Sequence, residues 1–116
     1  MKRILIAEDN DSNYMLMTYI VKKQYEYYRA RDGREAVELV KQDKPDMVLM
    51  DLKMPIQNGL DATREIKALY PDLPVIAVTA NAFDSDRIQA VEAGCDDFLA
   101  KPVSTDKCLQ VIAKYI

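Results

Sequence analysis

The stretch "PDMVLMDLKMP", residues 45–55, carries four consecutive apolar residues, Met47 to Met50, that run directly into a carboxylate, Asp51. A short apolar run bounded by prolines reads as a strand buried on both faces, the kind that parallel sheets contain. Working outward, runs of similar length recur at "ILIA" (4–7), "EYYRA" (26–30), "VIAVT" (75–79) and "FLA" (98–100). Amphipathic segments fill the gaps, and their spacing predicts helices over 11–23, 34–43, 59–70, 84–93 and 105–116. Gly33 and Gly59 open turns, Gly94 caps the fourth helix, and Pro45, Pro71 and Pro74 separate helix ends from strand starts. Strand and helix alternation with right-handed crossovers predicts an α/β fold, a doubly wound five-stranded parallel sheet covered on both faces.

The 116 residues suffice for one domain with a real core, so residues 1–116 are read as a single unit. No apolar run approaches the ~20 residues that span a bilayer, and the apolar run after Met-Lys-Arg is too short for a signal peptide, which places the chain in the cytoplasm. Cys95 and Cys108 without any histidine give no zinc site and no disulfide framework. A net charge of −3 with the signs interspersed excludes a nucleic-acid stripe. Three isolated glycines supply neither a P-loop nor a dinucleotide fingerprint.

In doubly wound sheets ligands bind outside the carboxyl ends of the strands. There the first strand delivers Glu8 and Asp9, the third Asp51, the fourth Thr79 and the fifth Lys101 followed by Pro102. Each alone has an ordinary reading, an acid as a helix cap or Lys-Pro as a turn. Together they converge. Paired carboxylates at ~4 Å repel by roughly 4 kcal/mol at an effective dielectric near 20, so the cluster calls for a cation. Oxygen ligands without His or thiolate select a hard ion, and two or three carboxylates with room for water suit Mg²⁺ better than a closed Ca²⁺ cage. Acids, metal, ammonium and hydroxyl describe a phosphoryl site, with Asp51, projecting from the middle of the sheet, as nucleophile.

With "ILIAEDN" (4–10), "MVLMDLKMPIQNG" (47–59), "VIAVTANAF" (75–83) and "DDFLAKPV" (96–103) in order, the chain resembles the receiver domain of two-component response regulators over its whole length. The wording of "EDNDSN", "VTANAF" and "AGCDDFLAKP" is most similar to receivers of hybrid sensor histidine kinases. The resemblance implies a flavodoxin-like, CheY-like (βα)5 fold with strand order 2-1-3-4-5. It implies Asp51 as phosphoacceptor, Asp9 and Asp51 as Mg²⁺ ligands with the Lys53 backbone carbonyl, and Glu8 reaching the metal through water. Lys101, with a cis bond to Pro102, would pair with the phosphoryl oxygens. Thr79 would bind the phosphoryl group and Phe98 would swing as the switch aromatic, without the hydroxyl of the commoner Tyr. Ala80 is small, as the family's close backbone approach there requires. Lys53 and Asn81 lie where families tune phosphate lifetime.

The function so implied is Mg²⁺-dependent transfer of a phosphoryl group from a phosphohistidine to Asp51, changing the partner-binding surface. The chain has no histidine, so the donor is a histidine kinase or histidine phosphotransfer domain elsewhere. The isolated domain would not be a turnover enzyme, beyond slow self-dephosphorylation. A stand-alone single-domain response regulator is the alternative parent. From another class, a small Mg²⁺-dependent phosphatase with an Asp nucleophile would carry a second acid where Lys53 stands, and a pseudo-receiver would lack some of these polar positions.

Two helices bear on partners. In 11–23, Leu16, Met17, Ile20 and Val21 form the expected core face, while Tyr14, Met15, Thr18 and Tyr19 offer an apolar docking side for a histidine-bearing helix. The last helix offers Leu109, Ile112, Ala113 and Ile116 as core stripe, with Cys108, Val111 and Tyr115 beside it. That breadth suggests a weak dimer through this helix, and an end without a polar tail suggests a domain of a longer, even membrane-anchored, protein.

Overall fold

The computed structural model describes residues 1–80 and 84–116, Asp84 by its backbone alone. The order of elements is β1 (Arg3–Ala7), α1 (Asp11–Val21), β2 (Glu26–Ala30), α2 (Gly33–Asp43), β3 (Met47–Asp51), α3 (Gly59–Leu69), β4 (Val75–Thr79), α4 (Asp84–Ala93), β5 (Asp97–Ala100) and α5 (Thr105–Tyr115). The sheet runs β2-β1-β3-β4-β5 with every neighbouring pair parallel, as expected. Register does the positioning: Ala7 pairs with Met50, Asp51 with Val78, and Thr79 with Ala100. The residues at and just after these ends therefore leave the sheet along one edge.

Strands β3 and β4 are buried at every position, which is why they read as continuous apolar runs. Alternate side chains feed opposite faces. Ile4, Ile6, Leu49, Ile76 and Val78 pack on Met17, Ile20 and Val21 of α1 and on Cys108, Val111 and Ile112 of α5. Leu5, Ala7, Val48, Met50 and Val75 pack on Ala36, Val37 and Val40 of α2 and Ala62 and Ile66 of α3. Each large apolar side chain so buried stabilises the fold by roughly 1.5–3 kcal/mol. A third, smaller cluster of Leu52, Ala77 and Ala90 lies under α4, edged by Leu60, Cys95 and Phe98.

Caps fix the helix starts. Asn10, Asp32, Asn58 and Ser104 each accept from the backbone amide three residues on. Gly94, at φ +107, terminates α4 in the left-handed region as predicted. Gly33 and Gly59 depart from the turn reading and are the first residues of α2 and α3. A Cβ on Gly33 would lie 2.0 Å from the Gln57 carbonyl oxygen, whose bond from the Gly33 amide is 2.9 Å. Close backbone approach, not turn geometry, requires glycine there.

Helix α1 stops at Val21, short of the predicted end, and its inward face is narrower than expected: Leu16 is 43 % exposed while Tyr14 packs against the first core cluster. Helix α5 is rotated about one position from the predicted stripe. Cys108, Val111 and Ile112 point inward, Leu109 is half-buried and Ala113 is exposed. Much of the apolar width that suggested an α5 interface is thus taken up by the core. Tyr115 donates its hydroxyl to the Asp96 carbonyl at 2.9 Å and Asp97 Oδ2 at 3.2 Å. Cys95 and Cys108 are free thiols, and burial pushes both to about 11. Among the described residues no helix is long and apolar enough to cross a membrane.

Candidate functional site

Glu8 follows β1 directly, and its amide continues the ladder to the Ala30 carbonyl at 3.0 Å. The capping role in this loop belongs to Asn10, whose Oδ1 accepts from the Asn13 amide at 3.0 Å, so neither acid is consumed as a helix cap. Glu8 is completely buried and Asp9 is exposed. Asp51 is the last residue of β3, itself only 4 % exposed, and its Oδ1 accepts from the Lys53 amide at 3.1 Å. One carboxylate oxygen from each of Glu8, Asp9 and Asp51 lies within 4.8 Å of the other two. Lys101 enters from the end of β5 with its Nζ 2.8 Å from Glu8 Oε1 and 3.4 Å from Asp51 Oδ2. The Lys101–Pro102 peptide is cis, in line with the resemblance. Thr79 is buried and donates from Oγ1 to Asp86 Oδ2 at 3.3 Å. An open cleft of about 260 Å³ is bounded by these groups together with Asn10, Asn13, Lys53 and Ala80.

Charge is unbalanced here: three carboxyls cluster, and among the described residues Lys101 is the ammonium within ion-pair distance of them. Burial pushes the Asp51 carboxyl up to about 7, with the hydrogen bond to Glu8 and its charge adding, while the Lys53 amide and Lys101 pull the other way. Burial alone would lower Lys101, but its hydrogen bond to Glu8 and the charge of Asp51 outweigh that and hold the ammonium above its ordinary range. Glu8 Oε1 is buried, and its partner among the described residues is the Lys101 ammonium at 2.8 Å. A buried carboxylate with spare acceptor capacity beside two others fits a hard divalent cation with oxygen ligands, and the cleft leaves room for water and phosphate oxygens.

The strand-end residues predicted from sequence, Glu8, Asp9, Asp51, Thr79 and Lys101, are thus brought together, with Lys53 on the rim. Phe98 lies apart, half-buried under α4 with the Arg87 guanidinium 5.8 Å from its ring. Asn81 lies outside the described residues. On α1, Met15 and Tyr19 are 62 % and 67 % exposed, Leu16 joins them, and Thr18 is half-buried with its hydroxyl on the Met15 carbonyl. Tyr14 is a correction to the predicted surface. It turns inward, where Arg29 stacks 4.4 Å from its ring centre.

Three residues near the site escaped the sequence reading: Asn10, Asp86 and Arg29. Arg29 donates from Nε to the Glu8 carbonyl at 3.0 Å and from Nη1 to Asp11 Oδ1 at 2.9 Å. No motif marks it; only the β1–β2 register, which sets Arg29 opposite Ile6, brings it beneath the acidic loop.

Comparison with known proteins is consistent across sequence and structure. Residues 4–113 match the family model of the response regulator receiver domain. The chain is 35 % identical to the polar-differentiation response regulator DivK of Brucella anthropi, over 99 % of this chain and 96 % of that protein. Among solved structures it superposes on the receiver domain of sensor histidine kinase PA1611 from Pseudomonas aeruginosa, which holds a magnesium ion in its active-site cleft. That match has a TM-score of 0.92 and 33 % identity, covering 98 % of this chain and 96 % of the other. The receiver domain of Saccharomyces cerevisiae Ssk1, crystallised with the histidine phosphotransfer protein Ypd1, matches with a TM-score of 0.91 and 27 % identity over 98 % of this chain and 88 % of that one.

Proposed function

From the premise that the chain belongs to the response regulator receiver domain family, we propose that it accepts a phosphoryl group on Asp51 from a partner phosphohistidine. The observation that carries this reading is the convergence of Glu8, Asp9 and Asp51 within 4.8 Å, with Lys101 against two of them. An oxygen of ionised Asp51 attacks phosphorus in line, the new O–P bond forms as the P–N bond breaks, and the electron pair returns to the imidazole nitrogen. Asp9, Asp51 and the Lys53 carbonyl would hold Mg²⁺ directly, and Glu8 through water. The ion, when bound, would neutralise charge between the phosphoryl oxygens and the acids. Lys101, whose Nζ lies 3.4 Å from Asp51 Oδ2, would pair with a phosphoryl oxygen. Thr79 would exchange its bond to Asp86 for one to the phosphoryl group, carrying the β4–α4 loop with it, and Phe98 would follow.

The chain would act as a phosphoacceptor with slow self-dephosphorylation in the cytoplasm, its output a change in partner affinity. The partner would be a histidine kinase or histidine phosphotransfer domain docking beside the cleft on Met15, Leu16 and Tyr19, bordered by Thr18. Both parent types considered, a stand-alone regulator and a sensor-kinase receiver, have counterparts among the matched proteins. The reading of the coding sequence on either side separates them, and sedimentation of the phosphorylated protein tests a weak α5 dimer.

The test is labelling with acetyl phosphate and Mg²⁺. Wild-type protein gains one hydroxylamine-sensitive acyl phosphate, and Asp51→Asn gains none. Labelling of Asp51→Asn at wild-type stoichiometry would sink the assignment.

A further inference from the structure

The acidic loop between β1 and α1 carries two of the three site carboxylates, yet one of them, Asp9, is exposed and has no cap or ladder duty of its own. Its flanking residues are bonded from the neighbouring strand. Arg29 reaches under the loop from β2, its side chain 13 % exposed, and bonds on both sides of Asp9: Nε to the Glu8 carbonyl at 3.0 Å and Nη1 to Asp11 Oδ1 at 2.9 Å. The Tyr14 ring, 4.4 Å away, closes over the guanidinium, and Arg31 adds a longer contact to Asp11 at 3.5 Å. The planar fork of arginine can satisfy two acceptors at a fixed separation, which a single ammonium cannot.

This arrangement does little for global stability, because Asp11 is 78 % exposed and pairs with exposed carboxylates add little. Its geometric effect is specific. Fixing the backbone at residue 8 and the side chain at residue 11 restricts the two residues between them, so that Asp9 faces Asp51 before any cation arrives. We propose that Arg29 is a positioning residue for the cation site, a clamp that preorganises Asp9; this rests on the reading of the cluster as a Mg²⁺ site.

Electrostatics gives the inference a sign that can fail. Arg29 is a positive charge close to a cation site, so deleting that charge would by Coulomb's law alone tighten Mg²⁺ binding. A clamp predicts the opposite. In calorimetric titration with MgCl₂ at fixed ionic strength, Arg29→Met is expected to bind Mg²⁺ about tenfold more weakly than wild type, the effect typical of losing an outer partner of a ligand. Amide exchange at Asp9 and Asn10 in the metal-free variant should quicken while that of β3 stays unchanged. The deficit in acetyl phosphate labelling should shrink as Mg²⁺ is raised. Affinity equal to or tighter than wild type in folded Arg29→Met overturns the clamp. Should that variant not fold, Arg29→Lys decides: charge is kept and the fork is lost, so several-fold weaker binding supports the clamp and unchanged binding overturns it. Failure of wild-type protein to bind Mg²⁺ would instead remove the phosphoacceptor reading itself.

Discussion

Gly59 and Asp51 meet through their backbones: a Cβ on Gly59 would lie 2.1 Å from the Asp51 carbonyl oxygen and 2.8 Å from the Leu52 Cα. Helix α3 therefore begins against the Asp51–Leu52 peptide. The atoms such a Cβ meets first are main-chain atoms of Asp51 and Leu52, not the end of a flexible side chain. Gly59→Ala is expected to cost about 2–3 kcal/mol, the upper part of the range for overpacking, and to slow labelling of Asp51. Urea denaturation measures the first effect; a wild-type midpoint would show that the contact relaxes freely.

The Asp51 carboxyl, pushed up to about 7, makes metal-free stability pH-dependent. Its folded pKa lies above its ordinary value of 3.8, so the folded state binds the extra proton between the two. The associated stability is full below pH ~4, is lost as pH rises toward ~7 and stays lost above, with a limiting slope of ~1.4 kcal/mol per unit. Asp51→Asn removes that slope. Without Mg²⁺ it should be more stable than wild type at pH 8 and closest to it near pH 4. Below pH 7 Mg²⁺ binding should release close to one proton, detectable as a buffer-dependent heat. Parallel pH–stability curves for the two proteins would contradict this.

Among the described residues Lys101 is the one ammonium paired with Glu8 and Asp51. Removing it in Lys101→Met leaves a fully buried Glu8 without its counter-charge. The expected loss is about 3 kcal/mol at pH 8 without Mg²⁺, and less at pH 5, where Asp51 is protonated. Added Mg²⁺ should restore part of the stability but not the labelling rate, which should fall by about a hundredfold. Thermal melts at the two pH values with and without Mg²⁺ separate these effects.

Met15 and Tyr19 are exposed, so Met15→Glu and Tyr19→Glu should each change stability by no more than ~0.5 kcal/mol. Both should slow transfer from a cognate phosphohistidine protein while sparing transfer from acetyl phosphate. Equal slowing with both donors would place the effect in the cleft and not on a docking surface.

Much of this was legible in the sequence because the chemistry sits where periodicity is least ambiguous. Apolar runs of β3 and β4 buried on both faces locate their own ends, and those ends carry Asp51 and Thr79. Glu8 and Lys101 follow from the same logic applied to β1 and β5. Helix faces were less legible. In α5 six apolar residues spread over more than half the circumference, and packing against the sheet selects Cys108, Val111 and Ile112 over Ala113. In α1 Tyr14 is drawn inward by Arg29, a partner fifteen residues away on another element. Gly33 and Gly59 looked like turn formers because sequence shows φ preferences but not the backbone that approaches from Gln57 or Asp51.

The small cluster beneath α4 bears on how stiffly each part of the protein resists displacement. Helices α1, α2, α3 and α5 anchor through valine, isoleucine or methionine, whereas α4 buries Ala90 and Ala93 and leaves Ile88 and Val91 mostly in solvent. An alanine methyl contributes about 0.8 kcal/mol, roughly a quarter to a half of a larger side chain. Moving a two-state element from 1:99 to 99:1 takes about 5.5 kcal/mol, within reach of two or three charged hydrogen bonds. A leucine-anchored α4 would add several kcal/mol to that requirement. Amides of α4 should accordingly exchange through local opening while those of α2 and α3 wait for global unfolding, which would leave the flank on which Thr79 bonds Asp86 the more compliant one.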